Sequence, residues 1–149
     1  MATIRLPPDF KEFLQLLNAH RVEYLLVGGY AVGYHGYPRA TVDMDIWIGK
    51  GPATAEKMVE VLRQFGFDVP NLSADLFLRE DQIVRMGTPP IRLEIFTSIP
   101  GVQFEDCYPS RVVDEVDGVR VNLISLQDLK TNKRASGRNK DLADLENLP

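Results

Sequence analysis

The spacing of apolar residues changes several times along the chain, and each change marks an element. Phe10, Phe13, Leu14 and Leu17 recur at helical spacing after Pro7 and Pro8, with Asp9 placed to cap the helix. Tyr24 to Val27 is a short unbroken apolar run, expected to form a buried strand ended by Gly28 and Gly29. A short helix is predicted from Tyr30 to His35, stopped by Gly36 with Pro38 beyond it. Val42 to Ile48 alternates as a second strand, closed by Gly49, Gly51 and Pro52. Ala55, Met58, Val59, Leu62 and Phe65 then form the stripe of another helix, which Gly66 stops. From Phe67 to Ile124 the pattern is strand-like, with strands expected at Gln82 to Met86, Ile91 to Phe96, Arg111 to Val116 and Val119 to Ile124. Asp117-Gly118 is a hairpin signal between the last two. Ser125 can cap a closing helix with Leu126 and Leu129, and Leu142, Leu145 and Leu148 mark a final one. These elements predict an α/β (α+β) fold with one mixed sheet and helices packed over it.

Composition narrows the function classes. A chain of 149 residues fits a single domain over positions 1–149. The apolar share of 44% and charged share of 26% suit a globular protein, and no apolar run approaches a membrane span. MATIRLPPDFKEF lacks the apolar core of a secretory leader, so a cytoplasmic location is expected. Cys107 is the one cysteine, which excludes an internal disulfide and a thiolate zinc cluster. Neither His20 nor His35 has a second histidine at ligand spacing, so both are read as helix-end residues. A net charge of −4 argues against general coating of nucleic acid.

The chemistry concentrates in GGYAVGYHGYPRATVDMDIWI, residues 28 to 48. In a strand alternate side chains share a face, so Asp43, Asp45 and Trp47 point one way and Met44, Ile46 and Ile48 the other. The two aspartates then stand roughly 7 Å apart at Cα, close enough for their carboxylates to converge on a cation. Hard oxygen ligands suit Mg²⁺ or Mn²⁺ rather than zinc. The competing reading is an edge strand with two solvated aspartates; the apolar residues on both faces, Trp47 above all, weigh against it. Gly28 and Gly29, where a strand gives way to a helix, allow backbone N–H groups to approach an anion. Neither a GxxxxGK[ST] loop nor a GxGxxG fingerprint is present.

A strand, Gly-Gly, a helix and a strand carrying Asp-apolar-Asp-apolar resemble the signature of the nucleotidyltransferase superfamily, whose fold is that of the DNA polymerase β catalytic domain. PRATVDMDI, RLEIFTSIPGVQFED and ISLQDLKTNKRASGRNKDLADLENL are similar to minimal bacterial and archaeal nucleotidyltransferases, some of them from toxin–antitoxin and abortive-infection systems. The resemblance implies a third metal carboxylate at Glu94, where the family commonly has aspartate. Alternation places Arg92, Glu94 and Phe96 on one face, and a salt bridge of Glu94 with Arg92 is the structural alternative. Many relatives have Gly-Ser at the glycine corner; here Gly28-Gly29 precedes Tyr30, so phosphate contact falls to backbone N–H groups. Tyr30 is a candidate to stack on a base, although packing is the commoner fate of such a residue.

Lys130, Lys133, Arg134, Arg138 and Lys140 occur in a span free of acidic residues. By resemblance, Lys133 and Arg138 face the triphosphate, whereas Lys130, Arg134 and Lys140 read as a solvated helix face. Asp141 and Asp144 are expected to pair with nearby bases. Arg39 has two readings of equal weight: it orients a phosphate, or it braces Asp43 or Asp45. The reaction implied is transfer of a nucleoside monophosphate from an NTP to an acceptor hydroxyl on RNA (tRNA included), a protein or a small molecule, with release of pyrophosphate. A second copy or a partner subunit can complete the acceptor pocket of so short a chain. The rival reading is a non-catalytic module of the same fold that binds a nucleotide or a protein.

Overall fold

The computed structural model describes residues 4–149. The first half runs α1 (Pro8–Ala19), β1 (Tyr24–Val27), α2 (Gly28–Tyr34), β2 (Asp43–Ile48) and α3 (Pro52–Phe65). The second half runs α4 (Asp75–Leu78), β3 (Ile83–Thr88), β4 (Ile91–Phe96), α5 (Phe104–Cys107), β5 (Val112–Val116), β6 (Val119–Leu123), α6 (Leu126–Ser136) and α7 (Asn139–Asn147). The strands form one mixed sheet in the order β3-β4-β2-β1-β6-β5. β1 is antiparallel to β2 and parallel to β6, and β2 is parallel to β4.

Apolar alternation explains the layers. Met44, Ile46 and Ile48 point into one core with Phe13, Leu17, Met58 and Leu62, so α1 and α3 cover that face. Leu25, Val27 and Trp47 point into the opposite core with Ile99, Phe104 and Leu129. Each fully buried side chain of this size stabilises the fold by about 1.5–3 kcal/mol. The sheet is therefore packed on both faces, and the strand carrying Asp43 and Asp45 lies in its interior rather than at an edge.

Local signals account for most boundaries. Gly66 ends α3 in the left-handed conformation, and the Ser125 hydroxyl caps α6 by accepting from the Asp128 N–H. Asp117 and Gly118 both take positive φ, 49° and 85°, as a two-residue hairpin turn requires. Asp117 also accepts from the Leu6 N–H at 2.8 Å, which pins the entry to α1.

Three expectations need correction. Asp9 lies inside the first turn of α1; Pro7 is the cap residue and makes no side-chain cap. Gly28 and Gly29 open α2 rather than preceding it. The segment 67–124 is not all strand and turn, because it also holds α4, α5 and a 3-10 turn at Tyr108–Ser110. Single turns are too short to show a helical period in the sequence. Residues 1–3, which form part of the segment read for a secretory leader, lie outside the described residues. Among those described, no helix is long and apolar enough to cross a membrane.

Candidate active site

Strand register assembles the site. Asp43 stands opposite Arg92 and Asp45 opposite Glu94 across the β2–β4 pair, while Val27 faces Asp45 from β1. Because alternate residues share a face, Asp43, Asp45 and Glu94 come together where β1 turns into α2. No stretch of the sequence places Glu94 near Asp45; the parallel pairing does.

Asp45 is the least satisfied of the three. Its Oδ1 is buried without a hydrogen-bond partner. Burial, with the charges of Glu94 and Asp43, pushes its carboxyl up to about 7, against the partial offset of Lys140 and Lys133. Its other oxygen packs against Gly28, where any Cβ would overlap Oδ2, and the backbone has a φ of 66°. Gly28 is thus required twice, for its conformation and for the space it leaves to Asp45. Gly29 packs as closely on Thr41, whose hydroxyl donates to the Asp43 carbonyl at 3.3 Å.

The other two carboxylates are held by arginines. Arg92 grips Asp43 with two hydrogen bonds of 2.8 Å, and this pairing draws the Asp43 carboxyl below its ordinary value. Arg85 on β3 donates to Glu94 at 2.7 Å. The salt-bridge alternative for Glu94 therefore has a different partner: Arg85, directly opposite on the antiparallel strand, rather than Arg92, two residues away on its own strand. With these side chains turned to arginine, no three His, Cys, Asp or Glu groups among the described residues stand together as a metal cage.

Facing Asp45 across a cleft of about 90 Å³ are Lys133, Arg138 and Lys140, with Gly28 and Gly29 at its base. Lys133 is buried and lies between Asp141 at 3.1 Å and Asp144 at 3.0 Å. Arg138 precedes α7 and folds back on Asp141, with its Nε donating at 2.8 Å. Arg39 donates to both oxygens of Asp144, at 2.8 and 3.0 Å. The bracing reading of Arg39 is corrected by this geometry: it braces Asp144, not Asp43 or Asp45, and it lines a hollow beside Gly29 and Thr41 rather than the cleft. Tyr30 is also elsewhere, edge-on to Phe10 at 5.8 Å and beside Arg39 in a separate hollow of about 250 Å³. Among the described residues only Gly29 borders both spaces.

Lys140, read as part of a solvated face, is the residue that sequence reasoning missed. It lines the cleft, and its charge bears on both Asp43 and Asp45. The one signal that could have found it is its place directly after Arg138 and Asn139 in the basic segment. His35 holds its expected place: it ends α2 and contacts the Ile124 carbonyl at 2.7 Å.

With this geometry the molecule can be set beside solved structures. A candidate nucleotidyltransferase from Thermotoga maritima is similar over 92% of this chain and 88% of its own, at a TM-score of 0.63 and 17% identity. An antigenic nucleotidyltransferase-like protein from Paracoccidioides brasiliensis is similar over 92% of this chain and 72% of its own, at 0.55 and 16%. The fold is that of the nucleotidyltransferases. No protein-family model and no curated protein matches the sequence. At these identities the likeness concerns the nucleotidyltransferase fold, and the chemistry rests on the residues themselves.

Proposed function

We propose that the protein is a nucleotidyltransferase that moves a nucleoside monophosphate from an NTP to an acceptor hydroxyl and depends on Mg²⁺ or Mn²⁺. The observation that carries this reading is Asp45: a half-buried carboxylate whose Oδ1 is buried and unpartnered, flanked by two more carboxylates on the same and the adjoining strand. A protein gains nothing in stability from such an arrangement unless a cation enters it. The donor set fits a hard divalent ion, with Asp43, Asp45 and Glu94 as its holders once Asp43 and Glu94 release Arg92 and Arg85. Bound there, the ion would lower the acceptor hydroxyl's pKa and offset the charge on the triphosphate.

The chain's own groups supply the rest. The cleft brings Lys133, Arg138 and Lys140 to the same space as Asp45, so a triphosphate lies between cations of the protein and that carboxylate. Lys140 is the freest of these, being exposed and unpaired among the described residues. Gly28 and Gly29, at the start of α2, line the same space. The acceptor oxygen attacks the α-phosphorus, the bond to the β-phosphate oxygen breaks, pyrophosphate leaves and the hydroxyl proton passes to solvent. The acceptor is sought among RNA, protein and small molecules, and the toxin–antitoxin relationship suggested by the sequence stays within this proposal.

A second reading has its own observation. Arg92 and Arg85 already neutralise Asp43 and Glu94, as in a domain that binds a nucleotide without turning it over. Incubation with each labelled NTP, Mg²⁺ and cellular RNA or lysate separates the two. Label transfer that needs the ion and is lost in Asp45→Asn is the expected result. Nucleotide binding without transfer to any acceptor in either metal would establish the binding module instead.

A further inference from the structure

β1 has two ends, and only one belongs to the carboxylate site. At its other end Arg21, Arg111 and Arg120 converge on a hollow of about 280 Å³ with Tyr108, Asn122 and Glu23 at its walls. Three elements deliver the three arginines: the turn after α1, the junction between the 3-10 turn and β5, and β6. Among the described residues none of the three makes an ion pair, and Glu23 makes none either. In a chain of net charge −4, three guanidinium groups without a carboxylate partner thus line one concavity.

Arg111 is held in place. Its guanidinium carbon lies 4.0 Å above the Tyr108 ring, and Nη1 donates to the Tyr108 carbonyl at 2.9 Å. Its Nε is buried with no acceptor, a donor desolvated by folding and left unused. Arg21 adopts a φ of 57°, a conformation rare outside glycine and asparagine, and its carbonyl accepts from Lys57 at 3.3 Å. Asn18 donates to the Arg120 carbonyl at 2.7 Å and ties the end of α1 to β6. The backbone behind Arg21 and Arg120 is thus anchored and the Arg111 side chain is held on Tyr108, while none of the three guanidinium groups meets a carboxylate. Planar guanidinium groups arriving from three directions suit a tetrahedral oxyanion better than a planar carboxylate, which one arginine can satisfy.

We propose that Arg21, Arg111 and Arg120 form a phosphate-binding site separate from the carboxylate cleft, for a phosphate group either free or carried by a nucleotide. The site does not depend on the reaction proposed above. Calorimetric titration of the full chain with inorganic phosphate, AMP and a short single-stranded oligoribonucleotide tests it. Saturable binding of phosphate is expected, weakened about tenfold by Arg21→Gln and by Arg120→Gln, both exposed positions where the fold should tolerate the change. Arg111→Gln should weaken it at least as much, and Lys50→Gln should leave it unchanged. Tighter, equally arginine-dependent binding of AMP or the oligoribonucleotide would support a nucleotide-borne phosphate, and equal affinities would support the free ion. Absence of saturable phosphate binding, or affinities unmoved by Arg21→Gln and Arg120→Gln, would overturn the proposal.

Discussion

Asp45 on β2 and the pair Asp141 and Asp144 on α7 are carboxylates of one small region treated in opposite ways. Asp141 and Asp144 on α7 are almost wholly buried, yet every charge is answered: Lys133 lies between them, Arg138 closes on one and Arg39 on the other. Burial would raise their carboxyls, but for Asp141 the bonds to Arg138 and Lys133, and for Asp144 those to Arg39 and Lys133, outweigh it and hold both below the ordinary value. Asp45 is half-buried, with no cation in contact and two carboxylates beside it, and its carboxyl rises to about 7. One group joins α6, α7 and the segment before β2 into a frame. In the other, Arg92 and Arg85 answer Asp43 and Glu94, and Asp45 alone is left electrostatically unfavourable. The contrast also reassigns Lys133: a lysine read as facing phosphate is first of all the counter-ion inside the frame.

The largest expected effect breaks the frame. Lys133→Met leaves Asp141 and Asp144 buried with a cation fewer and should destabilise the protein by about 3–5 kcal/mol in urea unfolding. If the midpoint hardly moves, the contrast fails and Lys133 returns to a purely ligand-facing role.

Asp45→Asn should act in the other direction. The folded carboxyl titrates near 7 and the unfolded one near 3.8, so folding favours its protonated form. Its contribution to stability is complete below about pH 4 and is lost as pH rises through about 7. With chelator present, the variant should therefore match the wild type at acid pH and exceed it by a few kcal/mol at pH 8, while losing nucleotide transfer. Asp141 and Asp144 have the opposite sign: their contribution is present above the ordinary carboxylate range and is lost as pH falls through their lower folded values. Melting temperatures of wild type and Asp45→Asn across pH 3 to 8 would expose both slopes, and parallel curves would refute the Asp45 assignment.

Gly28→Ala tests how tightly Asp45 is placed. A Cβ there meets Asp45 Oδ2 at a positive φ, whereas at Gly118 the added methyl enters open space with only the φ to oppose it. Gly28→Ala should cost about 1–3 kcal/mol more than Gly118→Ala and reduce activity as well. Equal costs would mean that Asp45 yields freely.

The smallest stability effect belongs to Arg85→Ala. Arg85 is 60% exposed, and its loss should shift unfolding by less than about 1 kcal/mol. Freed of this partner, Glu94 should bind Mn²⁺ more tightly, which titration followed by electron paramagnetic resonance would detect. Weaker Mn²⁺ binding would mark Arg85 as part of the working site rather than a competitor for Glu94.

The helices and strands are legible in the sequence where their signals are local. Apolar period, a serine cap, a glycine stop and an Asp-Gly hairpin act over a few residues, and α3, α6 and the β5–β6 turn follow them. The same alternation puts Asp43, Asp45 and Trp47 on one face, because strand geometry alone dictates it. The pairing of charges follows no local rule. Arg39 meets Asp144 across 105 positions, Arg92 meets Asp43 across 49, and Arg85 reaches Glu94 because β3 lies antiparallel to β4. Each guanidinium had several carboxylates of equal chemical merit, and Coulomb attraction does not depend on separation along the chain. Sequence by itself determined which residues carry charge and which face of each strand they occupy. Only the tertiary structure decided which charges meet, because strand order and helix packing set the distances through which electrostatics acts.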